Sequence, residues 1–324
     1  MTTETVVSIP RYAPLANMVL AFDGSAAIAQ ALLPADLIPA TEAASPFSLT
    51  FWMNPQPTLE PGNENAPYDQ QSPPRIPGPI VVVDIRGEQG PLVTWSIATD
   101  LTLSFSVASV PPNGFGVNIG PHLSQWIFVA SVFTPPDGDQ NQHGQVSLMV
   151  SNGAQMTAPA TANLSNTPSP RHEDRWLTVG NLPTARFQVP DDLGPFQGLI
   201  GQMRLWNAAL TQAQIEAHMY DDPIGPRAYL RGGPVIGDWR MNEGYGTVAF
   251  DYASPGPELI PVRYQPPPGN HMTLGTGDPA TEPAWVIADV LTQVQKTTSV
   301  QVNTAVTQAP ARGTLPGFGG RSVP

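Results

Sequence analysis

The stretch FQGLIGQMRLWNAALTQAQIEAHM, Phe196 to Met219, changes periodicity halfway along. Leu199 to Trp206, LIGQMRLW, reads as a strand. From Thr211 the pattern turns helical. Thr211 fits an N-cap, and Gln214 follows three residues later, the spacing of a capping box. Ile215 and Met219 share one face at i, i+4, with Ala208 and Ala217 beside them. Asp221-Asp222-Pro223 ends the helix. A helix this short is not stable alone and needs a core to lie on. The spacing predicts one short helix directly behind one strand.

Elsewhere the chain reads as strands and turns. Met18 to Phe22 ends at the turn dipeptide Asp23-Gly24. Phe47 to Met53 alternates, with Phe47, Leu49 and Phe51 on one side and Ser48 and Thr50 on the other, the pattern of a half-buried strand. Ile80 to Arg86, Pro91 to Ile97 and Leu101 to Val107 form a meander. Trp126 to Phe133 pairs with Gln145 to Val150 across a polar loop, and Trp176 to Gly180 adds a further strand. Gly237 to Met241 and Thr247 to Tyr252 read as short strands, and Val286 to Gln295 as a helical turn or two. The chain holds 39 prolines and 29 glycines in 324 residues. Proline is excluded from helix interiors and central strands, so many short strands joined by long loops are expected. One such loop, Pro55 to Pro79, runs about 25 residues, a length usually reserved for function.

Charge limits the partners. The formal net charge is −12 and Lys296 is the sole lysine, so a nucleic-acid backbone is repelled, as is an anionic membrane. No stretch reaches the roughly 18 apolar residues of a membrane helix. Met1 to Pro10 lacks a basic start and a long apolar run, so it does not read as a secretory signal. A soluble protein is expected, either cytoplasmic or carried out within an assembly. The absence of cysteine removes disulfides and thiolate metal sites.

Four groups of motifs, LAFDG with FSLTFWMNP, WIFVASVF with QVSLMVSNG, LTVGN with the Phe196 to Met219 stretch, and GDWRMNEGYGTVAFDYAS at Gly237 to Ser254, together resemble the laminin G-like, or concanavalin A-like, jelly-roll family. The likeness spans roughly Leu15 to Trp285. It implies an all-β fold, an antiparallel two-sheet jelly-roll sandwich with one short helix after the closing strand. One segment is out of order. The Trp239-Arg240-Met241-Asn242-Glu243-Gly244 motif, which usually opens such a domain, here follows the helix. Either a second domain begins there or the segment folds back as the missing first strand. About fifty residues cannot build a second sandwich, which favours the fold-back. The expected organisation is a lead at 1–14, a sandwich at 15–288 and an extended arm at 289–324.

The resemblance also frames the chemistry. Glycosidases of this architecture place two carboxylates on one strand face. Asp84 has no acidic partner at either spacing and reads as an edge or surface residue, so the chain is expected not to be an enzyme. Calcium at a sandwich edge is a family property. Asp251 matches the aspartate that the opening segment lends to such an ion, and Asp23 or Glu243 would join it if the fold-back is right. Solvated turn carboxylates are the plainer reading. Sugar binding needs exposed aromatics beside amides and carboxylates. Trp52, Trp126, Trp206 and Trp239 lie on strands and read as core. Trp95, Trp176 and the loop residues Asn65, Tyr68 and Asp69 are the ligand candidates. The implied function is a non-catalytic module that binds a glycan or protein surface, as part of a larger assembly. The alternative is a structural subunit of a phage-tail-like or injection-type assembly, docked through residues 289–324.

Deleting residues 289–324 is expected to leave a folded, soluble domain, checked by circular dichroism and thermal melting. Loss of cooperative unfolding would place the boundary elsewhere.

Overall fold

The structure, a computed structural model, describes residues 18–33, 45–57, 76–88, 90–107, 115–137, 143–153, 156–164, 173–183, 193–219, 235–241, 243–253 and 270–287. Its strands in chain order are β1 (Met18–Asp23), β2 (Ala29–Leu33), β3 (Phe47–Pro55), β4 (Ile80–Gly87), β5 (Gly90–Ile97), β6 (Thr102–Val107), β7 (Val117–Asn118), β8 (Ile127–Thr134) and β9 (Gln145–Ser151). They continue with β10 (Ala160–Asn163), β11 (Arg175–Val179), β12 (Gly194–Pro195) and β13 (Gln197–Trp206). After helix α1 (Gln212–His218) come β14 (Val235–Trp239), β15 (Val248–Ala249), β16 (Met272–Leu274) and β17 (Ala284–Ile287). Sheet I has the order β10-β9-β8-β3-β13-β1-β17, with β14 also paired to β13. Sheet II has the order β15-β16-β2-β11-β4-β5-β6-β7, with β12 added on β4. The pairings are antiparallel except for β12, which runs parallel to β4. This is the expected two-sheet sandwich.

Alternation decides which side chains meet between the sheets. Phe47, Leu49, Phe51 and Met53 of β3 enter the inter-sheet core with Ile127, Val129 and Phe133 of β8. Val83 and Ile85 of β4, Val93 and Trp95 of β5, and Leu103 and Phe105 of β6 meet them from sheet II. Trp95 stacks on Phe105 with ring centroids 5.7 Å apart. Its indole N–H crosses the sandwich to donate to Ser131 Oγ at 2.9 Å, which itself donates to the Leu49 carbonyl. Trp95 is therefore a sealed core residue, 0% exposed, and not the ligand platform expected of it. The polar end of the ring found its partner in the opposite sheet, as buried indoles require.

The outer face of sheet I is also apolar. Every residue of β3 is buried, so the strand is covered on both faces and not half-buried as its alternation suggested. Ser48 and Thr50 do not meet solvent. The Ser48 hydroxyl donates to the Ala208 carbonyl at 2.7 Å and accepts from Leu210 N–H at 3.0 Å. Trp206 Nε1 donates to Thr50 Oγ1 at 3.4 Å. These bonds steer the chain from β13 across the sheet and into α1. The capping box forms as predicted, with Gln214 N–H on Thr211 Oγ1 and Thr211 N–H on Gln214 Oε1. Ile215 and Met219 then join Trp52, Trp126, Phe128, Met149 and Trp206 in a second cluster, while Ala217 points to solvent. Arg204 ties the far end, donating from Nη1 to the His218 carbonyl at 3.0 Å.

The segment around Trp239 folds back into the same sandwich. β13 carries a bulge between Gly201 and Arg204, with Gln202 at φ 42°. Before the bulge β13 pairs with β1, and after it with β14 on the same side. β15 and β16 continue into sheet II beside β2, and β17 returns to sheet I beside β1. Val286 and Ile287, the first residues of the expected helical turn, are instead the end of strand β17, where pairing with Met18 to Ala21 overrides local preference. The rest of that turn lies outside the described residues. The lead at 1–14, the Asn65 to Asp69 loop and the arm at 289–324 lie outside the described residues. Among the described residues no helix is long and apolar enough to cross a membrane.

Replacing Ser48 by Ala leaves the Leu210 N–H without its buried acceptor and is expected to cost about 1–3 kcal/mol. A urea-unfolding midpoint unchanged from wild type would mean that apolar contacts alone seat the helix.

Candidate functional site

The outer face of sheet II differs from that of sheet I. Cross-strand register sets one row of outward side chains across seven strands: Val248, Thr273, Gln30, Thr178, Asp84, Thr94 and Ser106. A second row places Leu32, Trp176 and Arg86 side by side. Ser96 and Ser104 pair on the opposite flank of the first row. The row arises because LTLSFSV and LVTWSI alternate hydroxyl with apolar residues. In each strand the apolar set goes to the core and the hydroxyls go out.

Asp84 sits at the centre of this face. It is 0% exposed and lies on an interior strand of sheet II, so it is not the edge or surface residue expected. Asp84-Ile85-Arg86 puts carboxylate and guanidinium on one strand face at i, i+2. Arg86 Nε bonds Asp84 Oδ2, and the Thr94 hydroxyl donates to Asp84 Oδ1. Burial pushes the Asp84 carboxyl above its ordinary value, against the opposing pull of Arg86 and Thr94. A buried pair of this kind fixes register more than it adds stability, and removing one partner leaves an uncompensated charge. The pair holds the Thr94 hydroxyl at the edge of the open part of the face.

Around that closed centre the face is half-open. Thr94, Ser96, Thr102, Ser104, Ser106 and Trp176 are half-buried, and Thr273 is exposed. Trp176, one of the expected ligand residues, lies here next to Leu32, which is 41% exposed. The described side chains that line the open part are mostly hydroxyls, with the Gln30 amide, the Trp176 and Leu32 platform, and Val248 at its far end. Its two charged groups, Asp84 and Arg86, are buried and paired to each other.

The expected ion set is not assembled. Asp23 pairs with Gln197 and Trp239 with Met203, six positions further along β13, which is about 20 Å of strand. Asp251 bridges to Trp239 and stays at that distant end. The Asp23 carboxylate accepts from the Ser25 N–H and hydroxyl, and that hydroxyl holds its pKa below the ordinary value. Asp251 accepts from the N–H groups of Asp238 at 2.8 Å, Ala253 at 2.9 Å and Asn270 at 3.1 Å. Glu243 Oε1 accepts from Phe250 N–H and the Tyr252 hydroxyl. Donors already occupy the Asp251 carboxylate and Glu243 Oε1, where an ion would need further oxygens. Among the described residues no three His, Asp or Glu side chains gather to hold a metal.

No protein-family model matches the sequence, and no curated protein matches it. Several solved structures are similar in fold. A heptameric SAP-like pentraxin from Limulus polyphemus shares 13% identity at a TM-score of 0.43, over 67% of this chain and 87% of its own. A Bacteroides ovatus protein described as carbohydrate-binding shares 12% at a TM-score of 0.48, over 85% of this chain and 60% of its own. Domains LG4-5 of the mouse laminin alpha1 chain share 14% at a TM-score of 0.34, over 59% of this chain and 41% of theirs. The likeness to concanavalin A-like and laminin G-like sandwiches is one of fold. The expectation of a chain without catalysis is corrected by a further match, a family 7 alginate lyase at 14% identity and a TM-score of 0.28, over 52% of this chain and 63% of its own. The classification as a non-enzyme is withdrawn.

Burial raises the Asp251 carboxyl too, against the three N–H donors, with the Asp238 charge adding to the rise. A folded-state pKa above the ordinary 3.8 means that the native state holds more protons than the unfolded chain in the window just above that value. Stability from Asp84 and Asp251 therefore falls as pH climbs through the window and levels off beyond it. Asp23 acts in the opposite sense, below 3.8. The stability gap between wild type and Asp251→Asn is expected to narrow as pH rises from about 4 towards neutrality. Urea unfolding at stepped pH measures it, and a widening gap would reverse the assignment.

Proposed function

We propose that the chain is a binding module for an uncharged glycan, engaged by the outer face of sheet II. The observation that carries this reading is the contrast between the two outer faces. Sheet I closes the middle of its outer face with an apolar cluster and a helix, and leaves Gln145, Ser147, Thr161 and Asn163 open at its β9–β10 end. Sheet II presents hydroxyls, an amide and a half-exposed indole. Flat rows of hydroxyl and amide groups beside an aromatic plane suit a sugar, whose ring offers hydroxyls at its rim and an apolar C–H face. The face offers no unpaired cation among its described residues, and the chain is strongly acidic. An anionic polysaccharide would meet repulsion without compensation.

Thr94, Ser96, Ser104 and Ser106 supply hydrogen bonds from β5 and β6, and Trp176 supplies the stacking plane from β11. The Asp84–Arg86 pair keeps the centre rigid beneath them. The likeness in fold to a protein described as carbohydrate-binding agrees with the reading without carrying it.

A glycan array with neutral and uronate- or sulfate-bearing chains tests the reading. Neutral glycans are expected to bind with little dependence on salt. Trp176→Ala and Ser104→Lys are each expected to weaken binding roughly tenfold or more, about 1.4 kcal/mol. A response confined to anionic chains, or binding indifferent to both substitutions, would defeat the proposal.

A further inference from the structure

The last strand of sheet I has an open edge. β17 pairs with β1 on one side, and among the described residues no strand lies along the other. Such an edge is a row of backbone donors and acceptors ready for another strand, and monomeric proteins blunt it with charge, proline or bulges. The strand is short and follows Glu282-Pro283, but within Ala284-Trp285-Val286-Ile287 there is no charge, proline or bulge. In a chain with net charge −12 and 39 prolines, the four residues form a neutral, proline-free gap.

The surroundings of this edge are apolar as well. Among the described residues the exposed large apolar side chains are Leu32, Tyr245 and Ile287, and the last two stand here, 80% and 83% exposed. Tyr245 tops a tight turn between Gly244 at φ 75° and Gly246 at φ 77°. Trp285 Nε1 donates to the Gly246 carbonyl at 2.8 Å and holds that turn beside the strand. Gly244 rests on Met18, where a Cβ would lie 3.2 Å from Met18 Cγ, and Met18 pairs with Ile287. Edge, ring and aliphatic side chain thus form one patch.

We propose that this patch pairs two copies of the chain, with β17 running antiparallel to β17 of the second copy so that sheet I continues across a two-fold axis. Three features select a second copy as the occupant. An antiparallel strand meets its own symmetry mate in the same geometry as any antiparallel neighbour, and a two-fold interface needs only one self-complementary patch. Two copies of an acidic chain repel, and they approach at least cost where the surface is neutral. Tyr245 and Ile287 flank the strand and would be covered together. At the other end of sheet I, among the described residues, β10 exposes Thr161 and Asn163 and offers no such apolar cover. Pairing β17 with β10 would also be head-to-tail and would not close.

Sedimentation of the full chain over a concentration series, with native mass measurement, tests the proposal. Wild type is expected to form a dimer and no larger species. Ile287→Lys places a charge on an already exposed position and should keep the fold, confirmed by thermal melting. It is expected to raise the dimer dissociation constant tenfold or more, on the order of 1.4 kcal/mol. Thr161→Lys on β10 is expected to leave the dimer unchanged. A wild type monomeric throughout, an Ile287→Lys dimer as tight as wild type, dissociation by Thr161→Lys, or open-ended polymers would each overturn it.

Discussion

The carboxylate of Asp251 collects backbone N–H groups from three places: Asp238 on β14, Ala253 just past its own strand segment, and Asn270 before β16. Burial makes that charge costly, and the three donors offset part of the cost where water cannot. The sandwich depends on this knot, because it ties together the described strands that follow α1. β14 fills the half of the β13 edge that β1 leaves empty. β15 and β16 extend sheet II, and β17 extends sheet I. Around the knot, Asp238 pairs with Arg204 and Arg240, Arg240 lies over the Tyr252 ring, and Trp239 donates to the Asn270 carbonyl.

Arg204 joins this knot to the helix. It contacts Asp238 on one side and the His218 carbonyl at the end of α1 on the other. A cation there also suits the negative end of the helix dipole. The helix therefore does two things. It seals the apolar outer face of sheet I, and it delivers the chain to the point where it turns back. With the middle of sheet I sealed on both faces, sheet II holds the broader polar outer surface.

On that surface, the Asp84–Arg86 pair plays a part that neither residue suggests alone. An isolated acid in an apolar strand reads as an exception destined for solvent. Set beside Arg86 on the same face and Thr94 on the next strand, it becomes a buried polar anchor. Its oxygens are occupied, so it organises the hydroxyls around it.

The sequence alone determined the local pieces. Strand alternation in FSLTFWM and LTLSFSV, the turns that bound them, and the Thr211–Gln214 capping box are set by neighbours one to four residues apart, and each formed where its spacing placed it. The fold-back of the Trp239 segment was legible from its motif and its length. Short strands such as β2, β10 and β16 escaped notice because a few residues carry too little periodicity to register. Only the tertiary structure decided what the alternating polar residues face. Ser48 and Thr50 turned to a helix rather than to water, and Ser131 to an indole in the other sheet. Asp23 of LAFDG and Asp251 of the Trp239 segment share no neighbourhood, although that segment folded back as expected. Trp95 and Trp176 look alike in sequence, yet one is sealed in the core and the other half-open. The reason is physical. Period two tells a strand's two faces apart, but which face is dry is fixed by whatever packs on it from distant parts of the chain.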